Sequence, residues 1–208
     1  MSRSKHIILP NTRELWERGY SLSLYSRSYD SISGQQDFTE LGKLVYEYKY
    51  FKRLDDARRQ EIVAICAEKI SKTLKLDEVS KEFDFNCCIG VIPNGTSGHS
   101  LPQDLAALLS SKYAWLRNVS ESMSKIKDLP QMKSLPDYNE RKETISEAYV
   151  VDTNYDLSGA TGFLIMDDIY ESGSTLREFC RTLKRSVPDI PRFVISLTHL
   201  RAVWSEPR

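Results

Sequence analysis

The chain has 208 residues, of which 40% are hydrophobic, and its 29 Lys plus Arg balance 29 Asp plus Glu. That length fits one α/β domain with at most a small subdomain, enough to bury about 70% of the unfolded surface. A formal net charge of zero gives no global field toward nucleic acid or membrane, and no apolar run is long enough for a transmembrane helix. The start, M-S-R-S-K-H-I-I-L-P, lacks a signal-peptide core. Cys66, Cys87, Cys88 and Cys180 contain no C-x-x-C pair, and adjacent cysteines do not form an ordinary disulfide. They read as buried thiols of a reducing compartment, which predicts a cytoplasmic protein with no membrane partner. His6, His99 and His199 lie far apart and suggest no metal cluster.

In chain order, Ile7–Pro10 predicts an edge strand, and residues 21–36, rich in Ser, Tyr and Gly, predict a loop or hairpin. Phe38–Arg53 carries Leu41, Leu44, Val45 and Tyr48 at helical spacing. Asp55 or Asp56 starts a second helix to about Leu74, with Ile62, Ile65, Cys66, the Lys69 stem and Ile70 on its inner face. Lys49 and Lys52 are candidates for a basic contribution to a site, but their spacing favours a solvated helix face. Cys87–Ile92 predicts a buried strand, Pro93–Gly98 a Gly-rich turn and Gln103–Lys112 a helix. Tyr113–Val119 predicts a strand with Trp115 and Leu116 in the core. Ser120–Glu143 is long, polar and charged, which reads as a functional lid or a disordered loop. Ala148–Val151 is another short strand, and Tyr155–Gly159 a turn.

The most informative stretch is F-L-I-M-D-D-I-Y-E-S-G-S-T-L, Phe163–Leu176. Four apolar residues suit a strand buried on both faces of a parallel sheet. Asp167 and Asp168 follow, then the turn Glu171-Ser172-Gly173-Ser174-Thr175. Leu176, Phe179, Cys180, Leu183 and Val187 then mark one face of a helix. After Pro188–Pro191, Phe193–Leu197 predicts the last strand. A turn into a helix N-terminus offers unpaired N–H groups and positive potential, and with Gly173 and nearby hydroxyls it suits a phosphate. Carboxylates at a strand end suit a ribose diol. Together these describe a ribose 5-phosphate. Strands alternating with helices predict a doubly wound, mainly parallel sheet flanked by helices, with ligands at the carboxyl ends of the strands.

Phe163–Leu176 resembles the phosphoribosyl-pyrophosphate (PRPP) signature of type I phosphoribosyltransferases. That signature is a hydrophobic strand, two acidic residues, two mostly apolar residues, an acidic or hydroxyl residue, then T/S-G-x-T. Within the family, L-V-Y-E-Y-K-Y and the series Gln131, Leu135, Arg141, Ala148-Tyr149 resemble the ComF-type competence proteins. The resemblance implies the type I phosphoribosyltransferase fold over 1–208. Residues 1–37 would be a small variable hood and 120–143 a flexible lid. Ser172, Gly173, Ser174 and Thr175, with Glu171, would hold the 5-phosphate. Asp167 and Asp168 would grip the diol, partly through Mg²⁺. Asn94, Gly95, Thr96 and Ser97, with Lys133 and Arg141 from the lid, would contact pyrophosphate.

The implied reaction moves phosphoribosyl from Mg-PRPP to a nitrogenous acceptor and releases pyrophosphate. Glu171 stands where the ComF-type branch usually has Thr; in purine-salvage relatives the position is commonly Asp beside the incoming base. Glu171, Asp167 and Asp168 are therefore the catalytic candidates, with Glu171 as proton acceptor or as a solvent-facing residue. The cysteine-rich zinc module of ComF-type chains has no counterpart here. A rival expectation is a non-catalytic protein that senses PRPP or a nucleotide and serves a nucleic-acid process, DNA uptake or defence, through a protein partner. A homodimer is a further expectation from relatives.

Overall fold

The computed structural model describes residues 6–10, 15–30, 32–51, 53–78, 86–93, 100–127, 138–152, 154–155, 157 and 159–200, with only the backbone of Tyr138 and Arg141. The strands are β1 (Ile7–Ile8), β2 (Arg18–Leu24), β3 (Ser26–Tyr29), β4 (Gln36–Phe38), β5 (Cys87–Val91), β6 (Leu116–Asn118), β7 (Met123–Lys125), β8 (Tyr149–Val151), β9 (Gly162–Tyr170) and β10 (Arg192–His199). The helices are α1 (Glu40–Tyr50), α2 (Asp56–Leu74), α3 (Leu101–Lys112), α4 (Tyr138–Ile145) and α5 (Ser174–Ser186). A six-stranded sheet runs in the order β1-β2-β10-β9-β5-β6. All its pairings are parallel except that of β1 with β2. Among the described residues no helix is long and apolar enough to cross a membrane.

Period-two alternation in the central strands divides the core. Leu164 and Met166 of β9, Ile89 and Val91 of β5, and Ile195 and Leu197 of β10 pack with α1, α2 and α3. Phe163 and Ile165, Cys88 and Val194 face the other way, onto Ile145 of α4 and Leu176, Phe179, Cys180 and Leu183 of α5. Helices therefore cover both faces, as continuous apolar strands require. The thiols of Cys66, Cys88 and Cys180 are buried, Cys87 is half-buried, and all four are free.

The helix starts are legible in local chemistry. Thr39 caps α1 by accepting from the Gly42 N–H, Asp55 caps α2 by accepting from the Arg58 N–H, and Ser100 with Gln103 forms a capping box at α3. Two expectations need correction. Residues 21–24, expected as loop or hairpin, belong instead to β2, a strand inside the sheet between β1 and β10; only β3 and β4 form the hairpin. Nor is 120–143 structureless in its described parts. It opens with a 3₁₀ turn at Ser120–Ser122 and β7, which pairs antiparallel with β8, and it runs into α4. Residues 128–137 lie outside the described set.

Helix α1 is fastened to the sheet at its first turn. The Thr39 hydroxyl donates to the Leu24 carbonyl at 2.5 Å. A Cβ at Gly42 would stand 1.8 Å from the Tyr25 carbonyl oxygen. Gly42→Ala is therefore expected to cost about 3 kcal/mol or more, because backbone has to move. Gly34→Ala, at φ +70 with nothing within 4 Å of the new Cβ, is expected to cost only about 1–2 kcal/mol. Chemical denaturation checks the ranking, and an equal or smaller loss for Gly42→Ala contradicts it.

Candidate functional site

Asp167 and Asp168 lie within β9, not after it. The strand continues to Tyr170 because Asp167, Ile169 and Tyr170 stay in register with Ser196, Thr198 and His199 of β10. The turn expected at Glu171–Thr175 accordingly starts at Glu171, where β9 ends. The pleat sends the two acids to opposite faces, Asp167 with Phe163 and Ile165, and Asp168 with Leu164 and Met166.

Their surroundings differ accordingly. Asp168 Oδ2 accepts a hydrogen bond from Lys49 Nζ of α1 at 2.8 Å, with the side chains 17% and 42% exposed. At that exposure the ion pair contributes no more than about 1 kcal/mol. The Asp168 backbone N–H donates to Asp167 Oδ1 at 2.9 Å, and its carbonyl accepts from Thr198 Oγ1 at 3.1 Å. Burial, then repulsion from Asp168, pushes the Asp167 carboxyl up to about 7, against the pull of Lys49. Burial works against the Lys49 charge, but the attraction and hydrogen bond of Asp168 outweigh it and raise its pKa.

The turn after β9 is built around Gly173. Its φ of 72 places it in the left-handed region, and a Cβ there would meet the Tyr170 hydroxyl at 2.6 Å. Ser172 and Ser174 share a hydroxyl–hydroxyl bond of 2.9 Å, and the Ser174 N–H donates to Ser172 Oγ at 3.4 Å. Arg177, one turn into α5, donates from Nη1 to the Ser172 carbonyl at 2.8 Å and from Nη2 to Tyr170 Oη at 3.4 Å. Gly173 and Ser174 are buried, while Glu171, Ser172 and Thr175 are half-exposed. The first amides of α5 are oriented away from the helix body, as at any helix start.

The predicted second turn begins beside the acid pair. Val91 of β5 is in register with Met166 of β9, so Ile92 and Pro93 emerge next to Asp167 and Asp168. From β5 the chain crosses through α3 on one face to β6, and from β9 it crosses through α5 on the other face to β10. The β5/β9 boundary is thus a topological switch point, where an open α/β sheet leaves a crevice at its carboxyl edge. Asn94, Gly95, Thr96, Ser97 and Lys133 lie outside the described residues. Arg141 lies on α4, with its side chain outside them.

Lys49 is the functional candidate that the sequence placed on a solvated face and the fold brings to the acid pair. Only its place in the L-V-Y-E-Y-K-Y run pointed to it. Tyr25, Phe38, Tyr46, Tyr50 and Phe51 form a chain of ring contacts beside it, with centroids 4.7–6.0 Å apart. Burial, then the neighbouring Tyr50, Tyr46 and Asp168, raises the Tyr25 phenol. A surface groove of about 530 Å³ between α2 and α3, lined by Arg59, Gln60, Asp104 and Leu108 among others, contains none of the predicted site residues. Among the described residues, no group of three or more His, Cys, Asp or Glu is placed to hold a metal.

No protein-family model matches the chain, and no curated protein matches it significantly.

The Asp167 environment predicts a pH-dependent stability. Its carboxyl is held above the ordinary 3.8, at about 7, so the fold favours the neutral form. Stability is therefore lost as pH rises through that window and levels off above it. Asp167→Asn keeps the oxygen that accepts from Asp168 and removes the ionisation. It is expected to raise the melting temperature at pH 8, by about 2–4 °C for each kcal/mol recovered, with the gain shrinking toward pH 4. Thermal melts across that range check this; a gain independent of pH contradicts it.

Proposed function

We propose that this chain has the type I phosphoribosyltransferase fold and transfers phosphoribosyl from PRPP to a nitrogenous acceptor. One observation carries the reading. The end of β9 presents an acid pair and leads into a left-handed glycine and a helix N-terminus, beside a second strand that leads into a helix at the switch point of the sheet. That is what a ribose 5-phosphate requires: hydrogen-bond acceptors for a diol and donors for a phosphate.

In this reading Ser172, Gly173, Ser174 and Thr175, with Glu171, cradle the 5-phosphate through the first amides of α5 and the accessible hydroxyls. The Arg177 bond to the Ser172 carbonyl holds the turn in shape. Asp167 and Asp168 accept from the ribose hydroxyls and fix the ring while the C1–O bond to pyrophosphate breaks. Asn94, Gly95, Thr96, Ser97, Lys133 and Arg141 serve the leaving pyrophosphate, as the resemblance implies. Glu171, at the mouth of the turn, takes the acceptor's proton.

Two carboxylates with no third His, Cys, Asp or Glu grouped with them among the described residues fit Mg²⁺ in company with ligand oxygens, its usual mode with phosphate substrates. When bound it would supply charge neutralisation on pyrophosphate. Asp167 and Asp168 are the residues that would hold it, directly or through water.

Calorimetric titration with Mg-PRPP tests the reading. Wild type is expected to bind, and the Asp167→Ala, Asp168→Ala double variant to lose binding altogether. Glu171→Gln is expected to keep PRPP affinity and lower turnover by roughly 10²–10⁴-fold with a competent acceptor. Binding without turnover for every base screened would instead favour a protein that senses PRPP and acts through a partner. No binding by wild type overturns both.

A further inference from the structure

The ion pair between Lys49 and Asp168 raises a question of occupancy. One of the two Asp168 carboxylate oxygens, Oδ2, already accepts from the Lys49 ammonium at 2.8 Å. A diol that engages the carboxylate through both oxygens competes with the lysine for Oδ2, and the ammonium then gives way.

Where it can move is limited by α1. The helix is anchored at its start by Thr39 and by the tight seat of Gly42. Near its end Glu47 accepts two bonds of 2.8 Å from Arg58 Nε and Nη2 of α2, and Tyr48 donates to Asp104 of α3. The Lys49 backbone therefore stays in place, while its 42% exposed side chain is free to swing. A displaced ammonium remains within one side-chain length of Asp168.

The chemistry of the ligand then selects its next partner. In PRPP the pyrophosphate is bonded to C1, next to the carbon that bears the first diol hydroxyl. The 5-phosphate sits at the opposite end of the sugar, at the start of α5. The anion nearest the displaced ammonium and not already served by that turn is the pyrophosphate.

We propose that Lys49 is a pyrophosphate-binding residue that guards Asp168 in the free protein and transfers its charge to the leaving group when phosphoribosyl binds. The inference rests on the PRPP reading above. It makes α1, outside the signature segment, part of the site. It also gives the free protein a way to keep its acid pair neutralised until a ligand arrives that both offers a diol to Asp168 and supplies an anion for Lys49.

Two ligands separate this role from a structural one. Ribose 5-phosphate has the diol and phosphate but no pyrophosphate; PRPP has all three. Both are titrated, with Mg²⁺, into wild type, Lys49→Gln and Lys49→Arg, with melting temperatures as a check on folding. Lys49→Gln is expected to weaken PRPP at least tenfold and leave ribose 5-phosphate within about twofold or tighter, since the competing cation is gone. Lys49→Arg is expected to retain most of the PRPP affinity. Equal losses for both ligands, or no loss for either, overturn the inference while leaving the phosphoribosyl site standing. Failure of wild type to bind either ligand overturns the site and the inference together.

Discussion

The fold and the candidate site both depend on the pairing of β9 along both of its edges. Flanked by β5 on one side and β10 on the other, β9 is buried on both faces from Phe163 to Met166. Each such large apolar side chain contributes roughly 1.5–3 kcal/mol on burial. The same alternation assigns α3 to one face and α5 to the other, and so makes the β5/β9 boundary a topological switch point. Where the apolar run stops, the strand does not. It carries Asp167 and Asp168 to the carboxyl edge while still hydrogen-bonded to β10, so the acids are set by a rigid ladder rather than by a loop. Sites built on such elements hold their geometry more closely than sites on loops.

Helix α1 is the second fixed part. Its apolar side, Leu41 and Val45, belongs to the same core as Leu164 and Met166. Its polar bonds to β2, α2 and α3 run along its length. A lysine in the last turn is favoured by the helix dipole, and here that turn overlooks a carboxylate. One side chain thus satisfies both a helix end and an acid at the sheet edge.

Much of this was readable from the sequence because the residues obey one strong pattern each. Cys87–Ile92 and Phe163–Met166 are unbroken apolar runs, and Leu176, Phe179, Cys180 and Leu183 keep helical spacing, so the two strand-turn-helix units were legible. Strand β2 was not. Its R-G-Y-S-L-S-L run alternates, but the serines at 21 and 23 and the Ser/Tyr/Gly-rich run that follows read as loop. Ser21 is fully buried, and its hydroxyl donates to the Ser23 carbonyl, so a strand interior is made compatible with a polar residue by a local bond. The overrun of β9 past the acids was hidden for a related reason, since only the register with β10 extends it. The pairing of Lys49 with Asp168 joins positions 119 apart in sequence, and charge pattern along one helix carries no information about such a partner. The antiparallel pairing of β7 with β8 was masked by the polar composition around β7.

The register also explains why the two aspartates are not equivalent. Ser21 of β2, Ser196 of β10 and Asp167 of β9 lie side by side across the sheet. In-register neighbours share a face, so this is a polar row on the α5 side. Both serines are fully buried, and each hydroxyl is spent on the carbonyl two residues further along its own strand. Neither hydroxyl's proton is therefore left for Asp167. Its carboxylate is desolvated, with the Asp168 amide as a partner, and the neutral acid gains. Asp168 points instead toward α1 and the ammonium of Lys49. Two adjacent residues of one motif therefore present different chemistry. One is an acid whose burial favours keeping its proton up to near neutral pH, the other a carboxylate matched to a cation. That division follows from the two-residue repeat of a strand with unlike layers packed on its two faces.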